Sequence, residues 1–128
     1  MIKVGITGNS GFMGTHLKNW LSLENEKYKI IDFKSSFFDN EYLLDDFVKK
    51  SDVIVHLSGV NRHDNQDFIY SSNTNMCKKI ISSFRRTQFK GKLIFSSSIQ
   101  ENTSSSFGKS KKESRLLFQN WCSKNGVS

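Results

Sequence analysis

Three glycines near the start of the chain constrain its fold more than any other feature of the sequence. Gly8, Gly11 and Gly14 follow one another at intervals of three residues. A short β-rich run, Ile2–Thr7, precedes them, and apolar residues at helical spacing follow from Thr15 to Leu23. Strand, glycine-rich turn and helix in this order open the doubly wound α/β folds. The sequence therefore predicts an α/β chain with a ligand-binding first turn.

Strand and helix signals alternate along the rest of the chain. The predicted strands are Ile2–Thr7, Tyr28–Phe33, a short Ser36–Phe38, Asp52–Leu57 and Lys92–Ser96. The later predicted helices are one capped by Asp39 with Tyr42, Leu43, Phe47 and Val48 on its apolar face, then Phe68–Arg86 and Phe107–Asn125. This alternation indicates βαβ units with right-handed crossovers. We predict a Rossmann-like doubly wound parallel sheet of about five strands in the order 3-2-1-4-5, ending before a sixth.

Each glycine of the first turn has a separate physical role. Gly8 permits the sharp turn, Gly11 lets the backbone approach a pyrophosphate, and Gly14 allows close packing of helix on strand. The helix that follows presents free N–H groups and the positive end of its dipole to the phosphates. We therefore expect NAD or NADP to bind the turn residues Gly8, Asn9, Ser10, Gly11, Phe12, Met13 and Gly14.

Two charged residues after the second strand bear on the choice between NAD and NADP. Asp32 follows Gly14 by 18 residues, where a carboxylate can accept hydrogen bonds from the adenosine ribose. A carboxylate favours NAD because it repels a 2′-phosphate, whereas Lys34 would neutralise that phosphate and admit NADP. An ordinary turn residue at the strand end is the alternative interpretation of Asp32.

Four segments together resemble the extended short-chain dehydrogenase/reductase family, the NAD-dependent epimerases and dehydratases. They are the GxxGxxG turn, His56-Leu-Ser-Gly-Val-Asn-Arg62, Phe95-Ser-Ser-Ser98 and Phe107-Gly-Lys-Ser-Lys111. The segments 56–62 and 96–100 are most similar to capsular-polysaccharide reductases that act on a UDP-linked 4-keto-6-deoxy-N-acetylhexosamine. The resemblance covers all 128 residues but only about the first third of such an enzyme. Residues 1–128 are thus predicted to be an incomplete NAD(P)-binding domain without its substrate domain.

The resemblance implies a role for each site residue. Leu57, Ser58 and Gly59 would line the nicotinamide end of the cofactor. Ser98 would hydrogen-bond the reacting oxygen, and Lys111 would hold the nicotinamide ribose and lower the pKa of a catalytic tyrosine. That tyrosine is replaced here by Phe107, which has no proton to transfer. An ordinary strand-end serine and a solvated helix lysine are the alternative interpretations of Ser98 and Lys111.

Two functions follow from these residues. The first is the cofactor domain of a nucleotide-sugar oxidoreductase or epimerase, which moves a hydride at sugar C4 during surface polysaccharide synthesis. A UDP-sugar would be the substrate of the complete enzyme. The alternative is a non-catalytic NAD(P)-binding module or inactive fragment, and Phe107 favours it.

Composition argues against other classes of partner. The net charge of +7 is compatible with nucleic-acid binding, but the sequence has no nucleic-acid motif, so the lysines are interpreted as solvated helix faces. No apolar run is long enough to span a membrane, and His16, His56 and His63 have no metal-ligand spacing. Cys77 and Cys122 are interpreted as reduced thiols of a cytoplasmic protein.

Two further expectations concern the long helices. Asn73 corresponds to a family asparagine, and we expect it to brace the backbone of the last predicted strand. Homodimers of the family often pair two helices from each subunit. The apolar residues available here for such an interface are Ile80, Ile81, Phe84, Leu117 and Trp121, although core packing explains them equally well.

Overall fold

The computed structural model describes residues 1–128 as four strands and four α-helices. The strands are β1 (Ile2–Thr7), β2 (Tyr28–Ile31), β3 (Val53–His56) and β4 (Lys92–Phe95). The helices are α1 (Phe12–Ser22), α2 (Glu41–Lys50), α3 (Gln66–Thr87) and α4 (Ser106–Asn125). Two short 3₁₀ helices, Ser35–Asp39 and Ile99–Asn102, follow β2 and β4.

All four strands are parallel and lie in the order β2-β1-β3-β4. This is the predicted order with the short third strand removed. Val4 of β1 pairs with Ile30 on one side and with Val53 on the other, so β1 is central. Because the strands are parallel, the Gly8 turn and the segment after His56 lie at the same edge of the sheet.

The predicted strand at Ser36–Phe38 is wrong, since this segment forms the 3₁₀ helix Ser35–Asp39. The rings of Phe37 and Phe38 both lie 5.4 Å from the ring of Phe33. Successive residues of a strand point to opposite faces of the sheet, so a strand would not place both rings on one neighbour. Aromatic packing therefore overrides the local β propensity.

The predicted start of α2 is wrong by one residue. Asn40, rather than Asp39, caps the helix, and its Oδ1 accepts a hydrogen bond from the Leu43 N–H at 3.1 Å. The 3₁₀ helix still includes Asp39, so that residue is not free to cap. The buried face of α2 consists of Leu44, Phe47 and Val48, while Tyr42 is 81% exposed.

Helices cover the two faces of the sheet unequally. The larger core cluster joins strand residues such as Ile54 to α2, α3 and α4, and the smaller one joins Val4, Ile6 and Val55 to Leu17 and Leu21 of α1. The larger cluster also contains most of the apolar residues considered for a dimer interface. Ile80, Ile81 and Phe84 are buried, and Leu117 and Trp121 pack against them. Core packing therefore accounts for all five.

Candidate functional site

The glycine turn between β1 and α1 is held by its own backbone. Gly8 has φ +71°, in the left-handed region that favours glycine. The Gly11 N–H donates to the Gly8 carbonyl at 3.1 Å, and a Cβ added at Gly14 would lie 2.0 Å from that same carbonyl oxygen. Gly8 and Gly14 are thus required by the fold itself.

Gly11 is a glycine for a different reason. An added Cβ would meet only the Gly8 carbonyl, at an ordinary contact distance of 3.4 Å, and otherwise open space. Gly11 is also the N-cap of α1. Because glycine has no side chain, α1 is the only one of the four α-helices without a side-chain cap. No acidic residue lies in the first turn of α1. The N–H groups of this turn therefore face an open surface with their partial positive charge uncompensated.

A pocket of about 580 Å³ lies beside the turn, next to the end of β2. The Asn9 side chain ties the two segments together by donating from Nδ2 to the Phe33 carbonyl at 3.0 Å. The pocket contains both charged residues that the sequence proposed for the adenosine end, Asp32 and Lys34. Its full lining is Asn9, Ser10, Thr15, Lys18, Asp32, Phe33, Lys34 and Ser35.

The ends of β1 and β3 are joined by a buried hydroxyl that the sequence did not identify. Thr7 Oγ1 accepts hydrogen bonds from the N–H groups of Leu57 and Ser58, at 3.1 and 3.2 Å. It also lies 2.6 Å from Nδ1 of His56, its neighbour in the register of the two strands. A Cβ at Gly8 would lie 2.8 Å from the Ser58 nitrogen. The glycine turn and the segment 57–59 are therefore in direct contact.

The same contacts determine the state of His56. With both lone pairs of Thr7 Oγ1 used as acceptors, its one proton is donated to Nδ1, so the ring carries its hydrogen on Nε2. Burial, assisted by the nearby Lys111 charge, lowers the pKa of His56 to about 3. The imidazole is neutral at physiological pH and acts as a structural acceptor, packed between the rings of Phe38, Phe95 and Phe118.

Lys111 is a buried cation without an acidic partner. Its side chain is buried, and Nζ donates to the Ser96 carbonyl at 3.2 Å. The ammonium lies 5.0 Å from the ring centre of Phe95 and 5.6 Å from that of Phe107. Burial lowers the pKa of Lys111. A Cβ at Gly59 would lie 3.3 Å from Nζ, so the predicted residues at 59, 107 and 111 do come together.

Ser98 lies in the segment that packs on the first turn of α4. Its Oγ accepts a hydrogen bond from the Gln100 N–H at 3.1 Å, which leaves the hydroxyl proton free for another acceptor. Gln100 in turn contacts α4 closely, since a Cβ at Gly108 would lie 1.9 Å from its carbonyl oxygen. The hydroxyl of Ser98 makes no hydrogen bond with Lys111, whose Nζ donates to Ser96 instead.

An ion pair that was not predicted from the sequence holds this segment in place. Arg115 Nε donates to both carboxylate oxygens of Glu101, at 2.9 and 3.0 Å. The Ser97 hydroxyl donates to the same carboxylate. Arg115 and then Ser97 lower the pKa of Glu101. Because Glu101 binds both Arg115 and Ser97, its carboxylate ties the turn after β4 to α4 on both sides of Ser98.

Asn73 was predicted to brace the last strand, and that prediction is wrong. Its side chain instead accepts from the Val60 N–H at 2.7 Å and donates to the Val60 carbonyl at 2.9 Å. It also donates to the Ser110 hydroxyl at 2.9 Å. Asn73 therefore holds the loop after β3 against α4, next to Lys111.

The sequence of residues 4–120 matches the model of the NAD dependent epimerase/dehydratase family. The match covers most of the chain, and the chain belongs to this family. Among proteins with curated descriptions, none matches this chain in sequence.

Solved structures with the same fold include several enzymes of sugar nucleotides. RMD from Pseudomonas aeruginosa, in complex with NADPH, superposes with a TM-score of 0.85 at 17% identity over 99% of this chain and 51% of its own. UDP-N-acetylglucosamine 4-epimerase from Bacillus cereus gives 0.82 at 15% identity, over 99% and 55%. The capsular polysaccharide assembling protein CapF from Staphylococcus aureus gives 0.76 at 25% identity, over 99% and 32%. The chain thus spans about half of the first two proteins and a third of the last.

Two other kinds of site are not formed. No group of three or more histidine, cysteine or acidic side chains is arranged to hold a metal ion. None of the four α-helices combines the length and the hydropathy required to cross a bilayer.

Proposed function

We propose that this chain binds a nicotinamide dinucleotide at the Gly8–Gly14 turn, as the cofactor part of a nucleotide-sugar oxidoreductase or epimerase. The observation that carries the proposal is the open surface at Gly11. Packing within the chain requires Gly8 and Gly14 but not Gly11. A glycine that the fold does not need, at an uncapped helix N-terminus, is suited to close approach by a pyrophosphate.

The residues around the turn fit such a ligand. The pyrophosphate would accept hydrogen bonds from the free N–H groups of Phe12 and Met13 in the first turn of α1. The adenosine end would enter the pocket beside Asp32 and Lys34. The nicotinamide end would lie toward Gly59 and Lys111, where the ammonium has donors left for ribose hydroxyls.

The bound cofactor would supply the hydride, and the chain would supply position and charge. Ser98 has a free hydroxyl proton to donate to a reacting oxygen, and the Glu101–Arg115 pair holds its segment in place. Lys111 would provide positive charge at the nicotinamide end. Phe107 lies beside that ammonium but cannot exchange a proton, so a step that needs an acid or base at this position loses about 10²–10⁴ in rate.

The substrate is proposed to be a UDP-sugar, acted on at C4. The epimerase neighbour from Bacillus cereus acts on UDP-N-acetylglucosamine, which supports this class. The 25% identity to CapF over 99% of the chain supports a role in capsular polysaccharide synthesis. The chain spans about half of the length of these neighbours or less. Both assignments therefore concern a complete enzyme that also has a substrate-binding part.

Calorimetric titration of the folded chain with NAD and with NADP tests the proposal. Gly11→Asp should reduce affinity at least 100-fold, because a carboxylate about 4 Å from the pyrophosphate costs about 4 kcal/mol at an effective dielectric near 20. Gly11→Ala is the matched control, since it adds the Cβ without the charge and meets only the 3.4 Å contact. Absence of both heat and a thermal shift with either cofactor in the wild type would contradict dinucleotide binding.

Phe107 supports a second candidate, a module that binds the cofactor without turnover. One measurement distinguishes the two candidates. It is the oxidation of reduced cofactor by a UDP-linked 4-keto sugar in a complete enzyme that includes the substrate-binding part. If the chain only binds, the wild type leaves the cofactor unchanged and Phe107→Tyr restores the reaction by roughly 10²–10⁴. Equal, measurable rates for phenylalanine and tyrosine would show that position 107 is not the proton-transfer position.

A further inference from the structure

One face of α1 is apolar and open to solvent. Phe12, Trp20 and Leu23 are 81%, 68% and 79% exposed, and Met13 and His16 are exposed as well. The spacing of Phe12, His16, Trp20 and Leu23 at intervals of four, four and three residues aligns their side chains along the helix. The ring of His16 packs edge to face on that of Phe12, with 4.6 Å between the ring centres. We call this row of five residues the α1 stripe.

Neither the fold nor the proposed cofactor site accounts for the whole α1 stripe. A different face of α1, with Leu17 and Leu21, packs on the sheet against the smaller core cluster. Trp20 lies nine residues beyond Gly11, which is about 13 Å along the helix from the turn at which the pyrophosphate would bind. A large exposed apolar patch of this kind marks an interface with another molecule.

The stripe is large enough for one half of a protein interface. A buried aromatic side chain contributes roughly 150–250 Å², and the stripe has two such rings, Phe12 and Trp20, beside Met13 and Leu23. It therefore offers on the order of 500 Å² per chain. Two copies packed face to face would bury about 1,000 Å², the area at which specific interfaces begin.

Charge along the stripe favours a second copy of the same chain as the partner. The first turn of α1 has no acidic residue and carries the positive end of the helix dipole. Glu24 and Glu26 follow Leu23 at the other end, where Glu24 pairs with Lys27 at 3.3 Å and Glu26 has no ion-pair partner. Two antiparallel copies place the acidic end of each stripe beside the positive end of the other. An anionic membrane surface, by contrast, would repel these carboxylates.

The outer faces of α3 and α4 do not offer a comparable surface. They carry exposed lysines, Lys78 and Lys79 on α3 and Lys109 and Lys112 on α4. A two-fold axis brings a surface patch against its own copy, so like charges would face each other there. Leu116 is the only large apolar side chain that α4 exposes.

We propose that two copies of this chain associate through α1, with their α1 stripes packed antiparallel about a two-fold axis. Trp20 of each copy then packs on the first half of the partner stripe, where Phe12 and His16 form an edge-to-face pair. The apolar residues of α3 and α4 stay in the core of each copy. This inference is independent of the proposed cofactor function.

Sedimentation equilibrium of the folded chain over the micromolar range tests the inference. The wild type should be a dimer in rapid exchange with monomer. Trp20→Glu should raise the dissociation constant of the dimer at least about 100-fold, because the substitution acts twice in a symmetric interface and removes a central aromatic contact. Tyr42→Glu is the matched control, since it adds the same charge in place of an exposed aromatic side chain of α2, outside the stripe. It should change the dissociation constant less than about 3-fold.

Trp20→Glu and Trp20→Lys together test whether the stripe meets its own copy. Each variant alone should be monomeric at concentrations where the wild type is dimeric, because like charges then face each other across the axis. An equimolar mixture of the two should associate again, and a mixture that stays monomeric would overturn the pairing of stripe with stripe. Unchanged urea denaturation of each variant shows that the exposed position does not affect folding.

Three other results would overturn the inference. The first is a wild-type chain that stays monomeric over the whole concentration range. The second is a dimer that survives Trp20→Glu and dissociates with Leu116→Glu, which would assign the interface to α4. The third is binding of the monomeric chain to vesicles of phosphatidylcholine and phosphatidylserine, which would assign the stripe to a membrane surface.

Discussion

Phe107→Tyr tests whether the structure around position 107 is ready to activate a phenol. The ring of Phe107 is half-buried in the first turn of α4, and its centre lies 5.6 Å from the Lys111 ammonium. No carboxylate pairs with that ammonium, so its charge acts on whatever group is placed beside it. A hydroxyl introduced at the ring edge should therefore ionise more easily than a free phenol.

The size of the effect follows from Coulomb's law. Two charges about 5 Å apart at an effective dielectric near 20 interact by about 3 kcal/mol. That energy corresponds to about two pKa units, and partial burial of the ring opposes it. We expect the introduced phenol to titrate about one to two units below the usual value near 10.

Tyrosinate absorbance, followed during a pH titration, measures this directly and needs neither cofactor nor substrate. Tyr28, Tyr42 and Tyr70 are present in both the wild type and the variant. The difference in absorbance between the two proteins therefore reports the new phenol. Adding Lys111→Met keeps the apolar stem and removes the charge, and should return the pKa toward 10. A phenol that titrates normally, or a shift that persists without the lysine, would refute the assignment of these positions to one site.

Three further outcomes follow from the same contacts. His56 is held neutral in the folded chain, with its pKa lowered from 6.5 to about 3. The unfolded chain therefore binds the extra proton first, so the free energy of unfolding should fall by about 1.4 kcal/mol per pH unit as pH drops from about 6 toward 3. Urea denaturation at several pH values should show this loss, and His56→Gln should reduce it. Gly14→Ala should destabilise the chain by at least about 2 kcal/mol because its Cβ would overlap the Gly8 carbonyl, whereas Gly11→Ala should cost less than about 1 kcal/mol by the same denaturation assay. Burial raises the pKa of the Cys77 thiol to about 12, so it should resist thiol reagents in the native chain and react after unfolding, and rapid native labelling of Cys77 would contradict its burial.

Much of the fold could be predicted because local patterns and tertiary packing agree there. The run before Gly8 and the apolar run at Val53–His56 form strands that are buried in the sheet, in the predicted neighbour order. The segment Ser35–Asp39 could not be predicted in this way. Its conformation depends on the packing of Phe37 and Phe38 against Phe33. The spacing of apolar residues in the sequence does not reveal such a contact between aromatic rings.

The candidate site also has features that local spacing predicts and features that depend on tertiary contacts. The glycine turn and the relation of Phe107 to Lys111 follow from spacing, because residues four apart share one face of a helix. The role of Thr7 depends instead on strand register, which places it opposite His56. The position of Lys18 in the pocket was also not predicted. A single lysine in a helix cannot be distinguished from a solvent-exposed one until β2 is known to lie beside α1.

The missing cap of α1 links the stability of this helix to the supply of its ligand. Its first turn has no side-chain acceptor, unlike the first turns of α2, α3 and α4, which have Asn40, Asn65 and Ser105. A phosphate bound there acts as an exchangeable cap, and its binding free energy adds to that of folding. The amide hydrogens of Phe12 and Met13 should then exchange with solvent at a rate set by cofactor concentration. Opening of this turn becomes a measure of how much cofactor surrounds the protein.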